Sequence, residues 1–172
     1  MILLGIFLHR YLGKVCPEKK MTLAREYAKG EEELAFFCKV LVVEEIGDFY
    51  NVVMWRDDRI HRLAQELNKA HHIDETRNPA FGRRYLPEIY EEFAAKWSAK
   101  TLDGFREWFV NYLKSSWGDY YNRAMYKDSG LKDGYGLRQM AMKNGVELRQ
   151  KASQKLANLF LYTSILQEEP EI

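Results

Sequence analysis

A long apolar stretch from Leu34 to Ile46 lies within residues 31–55, where apolar positions recur at helical spacing. This pattern favours one long helix with a broad buried face, because residues three and four apart lie on one side of a helix. Strand-like alternation of apolar and polar residues does not persist anywhere in the sequence. The sequence therefore predicts an all-α protein in which residues 31–55 form a long helix.

Further helices are predicted along the rest of the chain. Residues 59–77 are expected to run antiparallel to residues 31–55, since only a short polar break separates the two segments. In that break, Asp57 or Asp58 is the expected helix cap. The other predicted helices cover residues 2–15, 22–30, 88–97, 101–117 and 146–166, and the clearest loop covers residues 126–136. At Pro79 the helix that begins at residue 59 is expected either to kink or to restart, and then to run to residue 85.

A chain of 172 residues suffices for one domain with its own core. We therefore expect residues 1–172 to form a single helical domain. Its parts would be an apolar N-terminal helix at residues 1–16, a helix pair with candidate metal ligands at 31–86, and C-terminal helices at 88–166.

The composition disfavours several classes of protein. A net charge of +1, with no long basic block, gives no reason to expect nucleic-acid binding. The apolar start, Met1 to Leu8, is too short for a membrane helix, which needs about 20 apolar residues. Cys16 and Cys38 match neither a disulfide framework nor a zinc pattern. The expected setting is the reducing cytoplasm, with no membrane partner.

Aromatic side chains recur at helical spacing between residues 97 and 121. A stripe of this kind is more often part of a core than of a binding site. The alternative is that these residues line a pocket for an aromatic substrate.

The candidate ligands are His71 and Glu75, which lie one turn apart on one face of a predicted helix. Glu44 and Glu45 interrupt the apolar stretch, and burial of an unpaired carboxylate costs several kcal/mol. Glu44 precedes His71 by 27 residues, enough for a helix, a turn and a returning helix. These residues either form a carboxylate-rich metal centre or lie at the polar edge of the core, and periodicity alone favours the second interpretation.

Residues 71–83, HHIDETRNPAFGR, resemble a signature of the non-haem di-iron N-oxygenases related to p-aminobenzoate N-oxygenase, H-x-x-D-E-x-R-H-x-x-F-x-R. Residues 44–50, EEIGDFY, resemble the third ligand helix of that family, and residues 126–131 and 156–160 resemble its tail. The resemblance covers roughly residues 20–166.

The resemblance implies a ferritin-like helical bundle, two iron ions, dioxygen chemistry and a homodimer. It implies that Glu44, His71 and Glu75 are iron ligands, although Glu45 is an alternative to Glu44. The expected reaction is oxidation of an amine, such as an aromatic amine, or of another small organic substrate.

Two departures from the family pattern limit this expectation. Asn78 stands where the family has its last histidine, and Pro79 follows it. The Asn78 amide is either a weak ligand or a helix cap. No Glu-x-x-His motif occurs in the chain, since Ile6 lies three residues before His9.

We therefore expect a partial bundle, with the first ligand helices missing from a truncated reading frame or supplied by another polypeptide. The partner would be a second copy or a different chain, with residues 2–12 as the expected contact. The isolated chain would then be a poor catalyst. The alternative function is that of a non-catalytic helical scaffold that acts by association.

Overall fold

The computed structural model describes residues 25–128 and 130–167, and these residues contain helices and no strand. The all-α prediction is therefore confirmed. The helices are α1 (Glu31–Trp55), α2 (Arg62–Glu75), α3 (Arg77–Glu92), α4 (Ala99–Tyr120), α5 (Arg123–Asp128), α6 (Gly134–Asn144) and α7 (Val146–Tyr162), with a 3₁₀ turn at Ala94–Lys96. The predicted N-terminal helix at residues 1–16 lies outside the described residues.

Helix α1 is central to the bundle and has the bounds that the sequence predicted. It packs against α2, α3, α4 and α7. Its fully buried residues include Leu34, Cys38 and Ile46, which share its inner side. Burial raises the pKa of the Cys38 thiol well above its usual range, so this cysteine is an inert core residue. None of the helices in the described ranges is long and apolar enough to span a membrane.

The N-terminal end of α1 is held by an ion pair between the exposed Arg25 and the buried Glu31. Arg25 donates two hydrogen bonds to the fully buried Glu31 carboxylate, at 2.6 and 2.7 Å. The backbone N–H of Ala28 donates a third, at 2.7 Å. Two parallel hydrogen bonds from a guanidinium to a carboxylate form a strong, well-oriented ion pair. The pair also satisfies the acceptor oxygens of a carboxylate that would otherwise be costly to bury.

Helices α1 and α3 approach closely at one glycine. Gly82 is buried on α3, and a methyl group added there would lie only 2.9 Å from Cδ1 of Leu41 on α1. The absence of a side chain at Gly82 therefore allows these two helices to pack at this distance.

Helix α2 runs antiparallel to α1, as predicted. Gln65 donates to the carbonyl of Asp57, and His72 contacts Asp48 farther back along α1. The predicted cap was wrong, however. His61 caps α2, because its Nδ1 atom accepts from the Leu63 N–H at 3.1 Å.

Asp57 contacts Arg59 instead of capping the helix. Hydrogen bonds from the Arg59 side chain and backbone lower the pKa of Asp57 to about 2. Asp57 therefore closes the turn between α1 and α2, and α2 begins at Arg62, three residues later than expected.

Neither Pro79 nor Pro87 ends a helix. Pro79 lies in the first turn of α3, where a backbone N–H would have no helical acceptor and its loss is tolerated. Helix α3 continues past Pro87 to Glu92, so the predicted separate helices at residues 79–85 and 88–97 were wrong.

The C-terminal half contains more helix than the sequence indicated. The expected loop at residues 126–136 includes the end of α5 and the start of α6, which Asp133 caps by accepting from the Gly136 N–H at 3.0 Å. The aromatic stripe is core, as the periodicity favoured: Phe105 and Phe109 are fully buried, and Phe109 contacts Phe160 with ring centroids 4.5 Å apart.

Candidate metal centre

Four polar residues on facing sides of α1 and α2 form a feature that we call the carboxylate seam: Glu44, Asn51, His71 and Glu75. Nε2 of His71 lies 3.5 Å from Oε1 of Glu75, one turn along α2. Nδ1 of His71 lies 3.1 Å from the amide nitrogen of Asn51 on α1. The seam therefore brings an imidazole and two carboxylates into one neighbourhood.

Glu44 is in an unfavourable electrostatic position. Partial burial raises the pKa of its carboxyl, and the negative charges of Glu75 and Asp48 raise it further, whereas His71 lowers it. Two carboxylates thus lie close together with no Lys or Arg ion pair to either of them in the described part of the chain. A cation between them would relieve this repulsion.

The neighbouring Glu45 lies in different surroundings. The residue is 4% exposed, and it forms an ion pair with Arg83 of α3. The guanidinium of Arg83 therefore neutralises the charge of Glu45. Of the two glutamates that the sequence left open, Glu44 is the one beside His71 and Glu75.

Tyr120 of α4 also lies within electrostatic range of Glu44. Burial raises the pKa of the Tyr120 phenol to about 12, and the charges of Tyr112 and Glu44 contribute to the same shift. Tyr120 stacks on Tyr50, with ring centroids 5.5 Å apart. A neutral aromatic pair thus lies near one side of the carboxylate seam.

Asn78 contacts Glu75 rather than capping a helix. Its amide donates to Oε2 of Glu75. The N-cap of α3 is Thr76, so the interpretation of Asn78 as a cap was wrong. In this arrangement the Asn78 amide fixes the orientation of one candidate ligand.

A second acid–imidazole pair was missed by the sequence analysis. Nδ1 of His72 lies 2.5 Å from Oδ1 of Asp48, and the His72 ring stacks on Trp55. The signal was available, because Asp48 lies one turn after Glu44 and His72 lies next to His71. This pair borders a cavity of about 170 Å³, which is also lined by Lys151 and Lys155 of α7.

Exposed apolar side chains also occur on α1, α2 and α3, and we call them collectively the outer face: Phe36, Val40, Val43, Leu63, Leu67 and Phe81. Each of these side chains is at least 36% exposed, and Leu67 is 68% exposed. Val40 and Leu67 lie one helical turn before Glu44 and His71, respectively, so the apolar residues adjoin the candidate ligands.

The candidate ligands are neighbours, but they do not form a finished site. Within residues 25–128 and 130–167, no group of three or more His, Cys, Asp or Glu side chains is arranged to hold a metal ion. The assignment of Glu44, His71 and Glu75 as ligands stays a prediction.

Comparison with known proteins identifies the family. A family model described as P-aminobenzoate N-oxygenase AurF matches residues 8–160. No curated protein and no solved structure matches the chain significantly. The match covers most of the 172 residues, including both segments that form the carboxylate seam. The chain therefore belongs to the P-aminobenzoate N-oxygenase AurF family.

Proposed function

We propose that this protein is a di-iron oxygenase-like protein that oxidises an amine or another small organic substrate with dioxygen. The family is one of di-iron enzymes, which implies iron as the cofactor. The observation that supports the proposal is the carboxylate seam, where Glu44 lies near His71 and Glu75, and where burial, followed by the charge of Glu75, raises the pKa of Glu44. Two cysteines without a disulfide pattern are in keeping with a cytoplasmic setting.

The residues of the seam fit one half of a di-iron ligand set. Ferritin-like di-iron proteins use about four carboxylates and two histidines, contributed by four helices. The described residues offer two carboxylates and one histidine on two helices, which suits one ion better than two. Bound iron would supply the activation of dioxygen, which amino-acid side chains do not provide.

Two amides would orient the ligands. Metal-binding histidines usually donate their second ring N–H to a neighbouring acceptor. If His71 binds through Nε2, its Nδ1 carries the proton, and the Asn51 amide can turn its oxygen toward it. Asn78 would hold Glu75 from the other side by the hydrogen bond already present.

The test is anaerobic loading of the full chain with Fe(II), followed by oxygen, a reductant and p-aminobenzoate. We expect a product that has gained oxygen at the amine nitrogen, measured by mass spectrometry. Glu44→Gln and Glu75→Gln should lose bound iron and product together, because an amide is a poorer ligand than a carboxylate. Glu66→Gln, an exposed change on the same helix α2, is the matched control and should retain both.

Replacement of Asn78 by histidine should tighten iron binding, because imidazole is a better iron ligand than an amide. We expect Asn78→His to raise the affinity on the order of 10-fold, the scale of ligand-environment changes at metal sites. Competition with a chelator would measure it. An unchanged affinity would mean that residue 78 does not face the ion.

The alternative function is a non-catalytic helical scaffold that acts by association. The observation in its favour is that no finished ligand group occurs among the described residues, although the apolar outer face is exposed. A chain that self-associates without binding iron and without forming product would support this alternative. Both functions include self-association, which we propose occurs as a homodimer.

A further inference from the structure

We propose that a cavity between α1, α2 and α7 binds a small organic carboxylate whose apolar part has about six carbon atoms. The cavity has a volume of about 170 Å³, and none of the four residues of the carboxylate seam lines it. The proposed binding site is therefore separate from the candidate metal centre. The inference depends neither on iron nor on the proposed oxidation.

Part of the cavity wall is apolar. Phe49 and Val52 of α1 contribute to it from one side, and Ala152 of α7 contributes from the other. The two α1 side chains are half-buried, and Ala152 is 4% exposed. An apolar group that displaces water from such a wall gains affinity. The ligand is therefore expected to have an apolar part.

The volume of the cavity limits the size of the ligand. A cavity of about 150 Å³ with apolar walls can hold a benzene molecule, whereas drug-sized ligands occupy pockets of roughly 300 Å³ or more. The cavity described here, at about 170 Å³, is close to the smaller of these sizes. An apolar part of about six carbon atoms fits it.

The two acidic residues of the lining already have partners. Glu45 pairs with Arg83, and Oδ1 of Asp48 lies 2.5 Å from Nδ1 of His72. An ionised carboxylate can only accept hydrogen bonds, so Nδ1 of His72 donates to Asp48. A cationic ligand would therefore have to compete with a partner that is already in place at each acid.

The two basic residues of the lining are less completely paired. Lys151 and Lys155 lie one turn apart on α7. Nζ of Lys151 lies 2.6 Å from Oε1 of Glu147, whereas Lys155 forms no ion pair with an acidic residue of the ranges 25–128 and 130–167. One unpaired ammonium group balances one negative charge, which a carboxylate carries and a phosphate monoester exceeds.

The positions of these residues also predict how the ligand lies. Lys155 is exposed and Ala152 is buried, so the charged side chain is at the mouth of the cavity and the apolar wall is deeper. The carboxylate would contact Lys155, and the apolar part would contact Phe49 and Val52. Because the mouth is open to water, removal of the lysine charge should weaken binding without abolishing it.

The experiment is isothermal titration calorimetry of the full chain without added metal. The probes are hexanoate, 1-hexanol and hexylamine, which have alkyl chains of similar length and differ in charge. We expect hexanoate to bind most tightly and 1-hexanol about 5-fold more weakly, the scale of one exposed charge pair, with hexylamine the weakest. Shifts of the Val52 and Ala152 methyl resonances in NMR spectra would locate the bound hexanoate.

Matched variants separate the apolar contact from the charge. Val52→Phe fills the cavity and should weaken hexanoate binding roughly 10-fold, since two lost methylene contacts suffice for this. Val53→Phe, at a 37% exposed position that does not line the cavity, is its control. Lys155→Met removes the charge and should make hexanoate and 1-hexanol bind equally well. Lys143→Met, an exposed change on α6 outside the cavity, should preserve the difference.

Several results would overturn the proposal. Absence of binding, or equal affinities of the unaltered chain for hexanoate and 1-hexanol, would show that the cavity does not select an anion. Tighter binding of hexylamine would show that Asp48 or Glu45 attracts cations despite its partner. Hexanoate that shifts neither the Val52 nor the Ala152 methyl groups would be bound elsewhere. If circular dichroism shows that Val52→Phe is not helical, the Lys155→Met comparison and the methyl shifts decide.

Discussion

Glu44 and Glu45 are consecutive residues on α1, and they lie in opposite electrostatic environments. Glu45 points toward α3, where Arg83 pairs with it and the surrounding core excludes water. Glu44 points toward α2, where burial, followed by the negative charge of Glu75, raises the pKa of its carboxyl. One carboxylate is therefore paired within the core, whereas the other forms no ion pair with a Lys or Arg among the described residues.

The largest effect should come from Arg83. Arg83→Ala removes the partner of the buried Glu45, and an uncompensated buried carboxylate costs about 3 kcal/mol. We expect the free energy of unfolding to fall by that amount in urea denaturation. Arg84→Ala, the exposed arginine next in sequence, is the control and should change stability little. Equal effects of the two changes would mean that Glu45 is not held by this ion pair.

Substitution of Gly82 tests the packing of α3 against the inner side of α1. Gly82→Ala would place a methyl group 2.9 Å from Leu41 and should cost about 2 kcal/mol by overpacking. Gly118 on α4 is a helical glycine with nothing within 4 Å of an added methyl group. Gly118→Ala should therefore stabilise the protein by about 0.5 kcal/mol. Thermal unfolding of the pair would show whether α1 and α3 approach as closely as described.

Asp48 of α1 contacts His72 of α2 and so links the two helices. Asp48→Asn keeps the size of the side chain and removes its charge. We expect a loss of about 1 kcal/mol, the scale of a single side-chain hydrogen bond. The measurement is denaturant unfolding at neutral pH. No loss would indicate that the Trp55–His72 stacking holds α2 without help from Asp48.

The smallest effect is expected at Glu44, and it is a stabilising one. Its pKa is raised in the folded protein, so the native state binds more protons than the unfolded state, and stability decreases as pH rises through that pKa. Glu44→Gln should therefore stabilise the metal-free protein at pH 7 by a few tenths of a kcal/mol, the scale of exposed charge pairs.

Below the ordinary pKa of a glutamate, this advantage should disappear, because Glu44 is then protonated in both states. Stability measured across this pH range would check the sign. A destabilised Glu44→Gln protein at pH 7 would contradict the electrostatic comparison with Glu45.

The sequence predicts those features that follow from local pattern. The bounds of α1 and its antiparallel pairing with α2 follow from the apolar period of residues 31–55 and the short break after it. The sequence could not show which glutamate is buried, because the decision depends on Arg83, 38 residues away. It also missed His61 as the cap of α2, since histidine is an uncommon cap and two aspartates precede it.

The sequence could predict which residues of the candidate site lie near one another. It could not predict the contacts that orient them. The spacing of His71 and Glu75 on one helix places them together in any bundle. The role of Asn78 as a donor to Glu75 depends on the join between α2 and α3, where a new helix begins at Arg77 and Pro79 lies in its first turn. Local sequence carries little information on how two helices join, so the cap interpretation was wrong there.

The ion pair between Arg25 and Glu31 also determines where the folded unit can be shortened. Glu31 is fully buried at the first residue of α1, and its carboxylate is paired with the guanidinium of Arg25, before the helix begins. A fragment that starts at the helix boundary would therefore keep a buried anion without its counter-charge. A minimal unit for study has to retain Arg25, although no helix of the bundle includes it.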